Sequence, residues 1–381
     1  MSSNPKKRGT VNISLLGTKL AFQLAFLDLL DEKKLKEITI GELSRRAGVS
    51  KNTFYNHFAD MFSLLKWIVS HALRKNAGFF SCWEILVSHI YTEKNMYLQA
   101  AKLYRQRMHS LFFEPLYAAA YQSTALDHGI RCPLEGVELL CRYTSNTIAF
   151  SITDWIEDGL ESSYTQYYHC TLRSFVNFFS HDMPMLMQPI PVKYLYGALP
   201  PGAEKKNPAL CHRLRFVLHE LAEQKGFSAV TVTEIAAGAG ISRPTFYRYF
   251  RDKYDLLLWV YEVELFEIIR KNALSKQLQL SHSMYRYLYH NKALFIEVLC
   301  DYEQNSLLDY IFRSTWDELI RRADHPCDDF QARAYKCWAN GATENLREWA
   351  RNGMIALPWD GLETFFFDQL REFQELSLIH I

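Results

Sequence analysis

The chain has 381 residues, 49% of them apolar, and a formal net charge of +1, which is length for two or more domains and apolar material for buried cores. No run approaches the ~18 uncharged apolar residues of a membrane helix, the basic N-terminus MSSNPKKRGT leads into no signal-length apolar stretch, and the eight cysteines are scattered without Cys-x-x-Cys or paired Cys/His spacing; this argues against a membrane-spanning, secreted or zinc-built protein and makes the cytoplasm the expected compartment. The near-neutral total conceals an asymmetry: residues 1–75 carry 13 Lys/Arg against 6 Asp/Glu, residues 204–276 are also net basic, and the remainder is net acidic, the distribution of a polyanion-binding surface or, more blandly, of ordinary solvated helices.

In chain order, the segment LGTKLAFQLAFLDLL (residues 16–30) has helical periodicity. Thr39-x-x-Glu42 then reads as a capping box that opens a short helix, turns Leu43 and Ala47 inward and ends at Gly48. Ser50 caps a second short helix in which Phe54 and Phe58, four apart, bury together, leaving Lys51, Asn52, Tyr55 and Asn56 outside. Asp60 caps the next helix, whose Leu64, Leu65 and Trp67 return to the core. Aromatic-rich helical segments follow, such as MYLQAAKLYRQRMHSLFFEPLYAAAYQ (residues 96–122), and then a stretch with prolines at 184, 189, 191, 200, 201 and 208. Proline lacks the amide hydrogen and disfavours helix in the residue before it, so that stretch predicts a linker.

Beyond the linker the pattern starts again with LCHRLRFVLHELAEQKGF (residues 210–227). ITIGELSRRAGVSKNTFYNHFADMFSLLKWI (residues 38–68) returns 192 positions later as VTVTEIAAGAGISRPTFYRYFRDKYDLLLWV (residues 230–260), without insertion or deletion. Thr231, Glu234, Ile235, Ala239, Gly240, Ser242, Phe246, Phe250 and Asp252 repeat the scaffold, and the outward set becomes Arg243, Pro244, Tyr247 and Arg248. Trp155 and Gly159 near the end of the first half are echoed by Trp349 and Gly353 near the end of the second. Two whole units joined head to tail are expected.

Capped helix, glycine turn and capped helix make a helix-turn-helix, whose second helix offers its N-terminal residues to a major groove. Lys51, Arg243 and Arg248 can reach phosphate or guanine, Asn52 and Asn56 can pair bidentately with adenine, and Tyr55 and Tyr247 offer hydroxyls to phosphate oxygens. The alternative for each copy is a plain surface helix or a protein-docking one. The second copy resembles the N-terminal DNA-binding signature of the TetR/AcrR transcriptional regulators, and the first resembles it almost as well; the tryptophan-glycine echoes resemble the C-terminal regulatory helices of one branch of that family. The resemblance implies that Thr39, Thr53, Tyr55 and His57, and Thr231, Thr245, Tyr247 and Tyr249, contact the DNA backbone, and that Lys253, just after the aspartate opening the fourth helix, touches phosphate. The first copy departs here with Met61, for which Arg45, Arg46 and Lys51 are candidates to compensate.

The expectation is therefore an all-α chain of two TetR-like units, each a three-helix helix-turn-helix domain followed by a helical regulatory domain: 1–75 and 76–182, a Pro-rich linker at 183–208, then 209–272 and 273–381. Its partners would be double-stranded DNA and, by the resemblance, a small apolar or amphipathic effector held among the aromatic helices, although aromatics at helical spacing are more often core. No cofactor or metal is expected: His109, His128, His169, His290 and His325 do not cluster like ligands, and no nucleophile elbow, phosphate loop or two-carboxylate site suggests an enzyme. The functional expectation is a transcriptional regulator, a repressor, acting as a pseudo-dimer within one chain or as a homodimer. The alternative is a ligand- or protein-binding adaptor on the same scaffold with one or both heads retired.

Overall fold

The computed structural model describes residues 17–73, 79–127, 134–177, 207–273, 280–300, 306–322 and 329–355. The regular elements in them are all helices, and no strand occurs among the described residues. In the first half these are α1 (Thr18–Glu32), a 3-10 turn (Leu35–Glu37), α2 (Ile40–Arg46), α3 (Lys51–Tyr55), α4 (Met61–Ala72), α5 (Phe79–Thr92), α6 (Lys94–Tyr104), a 3-10 turn (Arg105–Arg107), α7 (Met108–Asp127), α8 (Leu134–Glu157) and α9 (Tyr164–Asn177). In the second they are α10 (Pro208–Lys225), α11 (Val232–Gly238), α12 (Arg243–Tyr247), α13 (Lys253–Ala273), α14 (Leu280–His290), α15 (Lys292–Cys300), α16 (Ser306–Arg322) and α17 (Asp329–Arg351). The protein is all-α, as its periodicities predict.

Spacing explains which faces are buried. Helix α1 hides Phe22, Phe26, Leu29 and Leu30, three or four apart, and Phe22 packs edge-on against Phe54 of α3, with ring centroids 5.3 Å apart. In α10, Leu210, Leu214, Val217 and Leu218 make the corresponding stripe. Helices α8 and α17 end alike: Leu160 N–H donates to Trp155 O and Met354 N–H to Trp349 O, both at 3.1 Å, while Gly159 and Gly353 take φ of 81° and 79°. The tryptophan-glycine echo of the sequence is therefore a shared way of stopping a helix.

The chain divides into two compact units, one of Met1–Gly129 with Thr144–Thr171 and the other of Ile130–Tyr143 with Leu172–Ile381. The second unit thus takes in residues from both sequence halves. Inside it Arg142 of α8 donates to Glu348 of α17 at 2.7 Å, and Tyr143 and Phe175 pack on Trp338 with centroids 5.3 and 5.4 Å apart. Most of the expected linker, together with Cys132, Cys327, His128 and His325, lies outside the described residues. Its last two residues open α10: Asn207 caps the helix by accepting from Leu210 N–H at 3.2 Å, and Pro208 is its first residue, where the missing N–H costs nothing.

Candidate nucleic-acid interface

Each half builds a three-helix head by the same local chemistry. Thr39 and Thr231 cap α2 and α11, Ser50 and Ser242 cap α3 and α12, and Asp60 and Asp252 accept from Ser63 and Asp255 N–H at 2.7 and 2.8 Å. Gly48 and Gly240, at φ 71° and 65°, make the turn between the two short helices, a conformation that disfavours any side chain. Phe54 with Phe58, and Phe246 with Phe250, are buried with centroids 5.4 and 5.9 Å apart.

One detail differs between the heads. The capping box is complete in the second: Glu234 accepts from both the N–H and the hydroxyl of Thr231, and Lys225 also donates to it at 2.6 Å. These hydrogen bonds, from Lys225 first and then Thr231, pull the Glu234 carboxyl down to about 2. In the first head only the threonine half forms, with the carboxylate of Glu42 held by Lys33.

Arg45, Arg46, Lys51, Asn52, Tyr55, Asn56 and His57 are all exposed, with Thr53 half-buried beside Ser50, to which its hydroxyl is hydrogen-bonded at 2.9 Å. Thr231, Arg243, Pro244, Tyr247 and Arg248 are exposed in the second head, Thr245 is half-buried on Ser242, and Tyr249 is half-buried against the core. Tyr55 is 56% and Tyr247 47% exposed, unusual for tyrosines on such small domains, and Arg243 reaches the Tyr247 hydroxyl at 3.4 Å. The outward sets inferred from spacing are thus brought together on one face of each head.

Two predicted cations are already engaged. Arg46 makes a two-pronged pair with Glu32, at 2.9 and 2.6 Å. Lys253 places its ammonium on three backbone carbonyls, Phe227 O, Ser228 O and Val230 O, at 3.1, 2.8 and 2.9 Å. An ammonium has three donors, so Lys253 meets a phosphate only by releasing a carbonyl. Arg251, three residues after Arg248 and directly after Phe250, is also exposed and adds a cation that the sequence alone did not single out.

Behind the second head lies a polar cluster that the sequence did not reveal. Glu264 of α13 receives Arg215 and His219 of α10 on one oxygen at 3.1 and 3.0 Å, and the Tyr287 hydroxyl of α14 on the other at 2.6 Å. Burial pushes the Glu264 carboxyl up, but hydrogen bonds from His219 and Tyr287 and the neighbouring positive charges outweigh it, leaving the pKa lowered. The equivalent positions of the first half hold Gln23, Leu27 and Ala72. Among the described residues no group of His, Cys, Asp or Glu could hold a metal ion, and no helix is long and apolar enough to cross a membrane.

Comparison with known proteins bears on this geometry. Residues 217–260 match the family model described as bacterial regulatory proteins, tetR family. The chain is 20% identical over 265 residues to an uncharacterized HTH-type transcriptional regulator, YxbF, of Bacillus subtilis (strain 168), an alignment covering 64% of this chain and 66% of that protein, just under two thirds of its length. It is 25% identical over 135 residues to the HTH-type dhaKLM operon transcriptional activator DhaS of Lactococcus lactis subsp. lactis (strain IL1403), covering 32% of this chain and 68% of that one. A solved structure of a dihydroxyacetone kinase operon activator DhaS matches at 19% identity over 40% of this chain and 91% of that chain, with a TM-score of 0.32, too low to argue from. Together with the head geometry, the matches make the chain TetR-like: an all-helical protein with a tetR-type helix-turn-helix at residues 217–260, similar to HTH-type transcriptional regulators.

Proposed function

We propose that the chain is a DNA-binding transcriptional regulator that uses two divergent helix-turn-helix heads in one polypeptide. The observation that carries this reading is that both heads keep the same caps, turn and phenylalanine pair while exposing different residues from the recognition helix: Lys51, Asn52 and Asn56 in one, Arg243, Pro244 and Arg248 in the other. Thr39, Thr53, Tyr55, His57, Thr231, Thr245, Tyr247 and Tyr249 serve phosphates; Asn52, Asn56, Arg243 and Arg248 read base edges. The inclusion of residues 130–143 in the second unit, with the Arg142–Glu348 pair inside it, supports a pseudo-dimer within one chain. Repression is its expected mode of action. An apolar or amphipathic effector is favoured by the aromatic run along α7, where His109, Phe113 and Tyr117 stack at 5.8 Å intervals and Tyr117 continues to a partly exposed Tyr121.

Selection of bound duplexes from a random pool, repeated at two salt concentrations, tests the reading. A regulator enriches one site and binds it more weakly as salt rises; absence of both enrichment and salt dependence overturns it. The adaptor reading, with the first head retired, draws on Met61, which is buried where the second head has Lys253, and on the engagement of Arg46 by Glu32. It predicts enrichment of a single half-site, insensitive to Lys51 and Asn52.

A further inference from the structure

Both heads are gripped from behind at the turn after their first helix, by different chemistry. In the first head, Gln99 of α6 accepts the N–H of Leu35 at 2.5 Å, and Met61 at the start of α4 is buried. In the second, Glu297 of α15 accepts the N–H of Ser228 at 2.6 Å, while Lys253 at the start of α13 donates to the three carbonyls of the same turn. Gln99 and Glu297 sit at the same place on equivalent helices: each lies two residues after a fully buried aromatic, Tyr97 or Phe295. Met61 and Lys253 are equivalent by the 192-residue repeat. Between the copies, Gln and Met at these two positions have therefore become Glu and Lys, which in the second head both bind the same turn. The two changes belong together, since a carboxylate alone beside a turn has no compensating charge and an ammonium alone is poorly hydrated there.

We propose that Glu297 and Lys253 form a charged clasp on the Phe227–Val230 turn, a joint by which helix α15 sets the orientation of the second reading head, and that Lys253 is a positioning residue of this joint rather than a contact to DNA phosphate. The proposal rests on the reading of the second head as DNA-binding and gives it a charged joint where the first head is held by the neutral Gln99. The geometry favours it on three counts. All three ammonium donors are occupied. The amine also lies over the Phe227 ring, 4.8 Å from its centroid, and is partly withdrawn from water. Burial, helped by the neighbouring Lys225, lowers its pKa, while Glu297 acts to raise it. The carboxylate is also closely fitted: a Cβ on Gly226 would come within 2.8 Å of Glu297 Oε1.

The test uses the full chain and copies the first head into the second. Affinity for a labelled duplex of mixed sequence, about four helical turns (~40 base pairs) long, is measured over a salt series for the wild type, Lys253→Met, Glu297→Gln and the double variant. If Lys253 serves the joint, Lys253→Met weakens binding but leaves the slope of log affinity against log salt unchanged, and adding Glu297→Gln recovers at least about threefold of the loss, because the orphaned carboxylate is gone. A slope reduced by about one shows a lost phosphate contact and overturns the proposal, as does a double variant no better than the product of its singles. A second readout needs no DNA: hydrogen exchange of the peptide spanning the turn should quicken at least about tenfold in Glu297→Ala and stay near wild type in Glu297→Gln, which can still accept the Ser228 N–H. Unchanged exchange in Glu297→Ala overturns the clasp. Failure of the wild type to bind any duplex would count against the DNA-binding reading, and the clasp would then be decided by the exchange result.

Discussion

At the scale of single residues, the exposed side chains at the ends of α3 and α12 make separable predictions under the proposed function. Tyr247 is on the outer face, opposite the buried Phe246 and Phe250, with its hydroxyl near Arg243. Tyr247→Phe should therefore weaken binding by a similar factor on every duplex, since a phosphate contact positions without specifying. Arg248 follows it on the same exposed face, and Arg248→Ala should relax preference at one base position by about 1–3 kcal/mol if it reads guanine. Competition binding against single-base variants of the selected site distinguishes the two: an altered base preference in Tyr247→Phe, or uniform loss in Arg248→Ala, would reverse the assignments. Much at this scale was legible in the sequence, because caps, glycine turn and i,i+4 aromatic pair are set by neighbours in the chain. The fate of Lys253 was not, because its partners lie 23 to 26 residues away across the α10–α11 turn. Nor was that of Arg46, whose partner Glu32 lies 14 residues earlier.

At the scale of elements, the stability of each head depends on how its helices start and stop. Gly240→Ala places a side chain at φ 65° and should lower the unfolding free energy by about 1–2 kcal/mol, read as a shift in denaturant midpoint with unchanged slope. An unshifted midpoint would mean that the turn relaxes. The Glu264 cluster ties α10 to α13 and α14, and its sign with pH follows from the lowered pKa. A carboxyl titrating below its ordinary value of 4.5 in the folded state adds stability that is present above that value and lost as pH falls below it. Thermal unfolding between about pH 6 and 3.5 should show a steeper acid loss for wild type than for Glu264→Gln, and equal slopes would show that the cluster contributes nothing through ionisation. This cluster escaped sequence reading because Arg215, His219, Glu264 and Tyr287 come from three helices that meet only after folding. The four-residue spacing of Arg215 and His219 on α10 was visible, but the carboxylate they share was not.

At the scale of the whole molecule, the proposal is that two heads of one scaffold, joined in a single chain, take the place of a symmetric dimer. A symmetric dimer must present the same residues at both half-sites, so its site is palindromic; two joined and diverged copies escape that constraint. Helical class, the two helix-turn-helix segments and the tryptophan-glycine ends were legible because each rests on local periodicity. The grouping of residues 130–143 with the second unit was not, since no motif in the first half announces that Arg142 meets Glu348. The same grouping yields a variant with a clear expectation. Arg142→Ala leaves Glu348 without its partner in a half-buried setting and should destabilise the second unit by about 1–3 kcal/mol, whereas a change within ~0.5 kcal/mol in chemical unfolding would mark the pair as solvent-screened. The most direct test of the central claim is light scattering of the complex formed between the full chain and the duplex selected from a random pool. One chain per duplex, on two dissimilar half-sites centred about one helical turn or a multiple of it apart, is the predicted result, and a perfect palindrome occupied by two chains would contradict it.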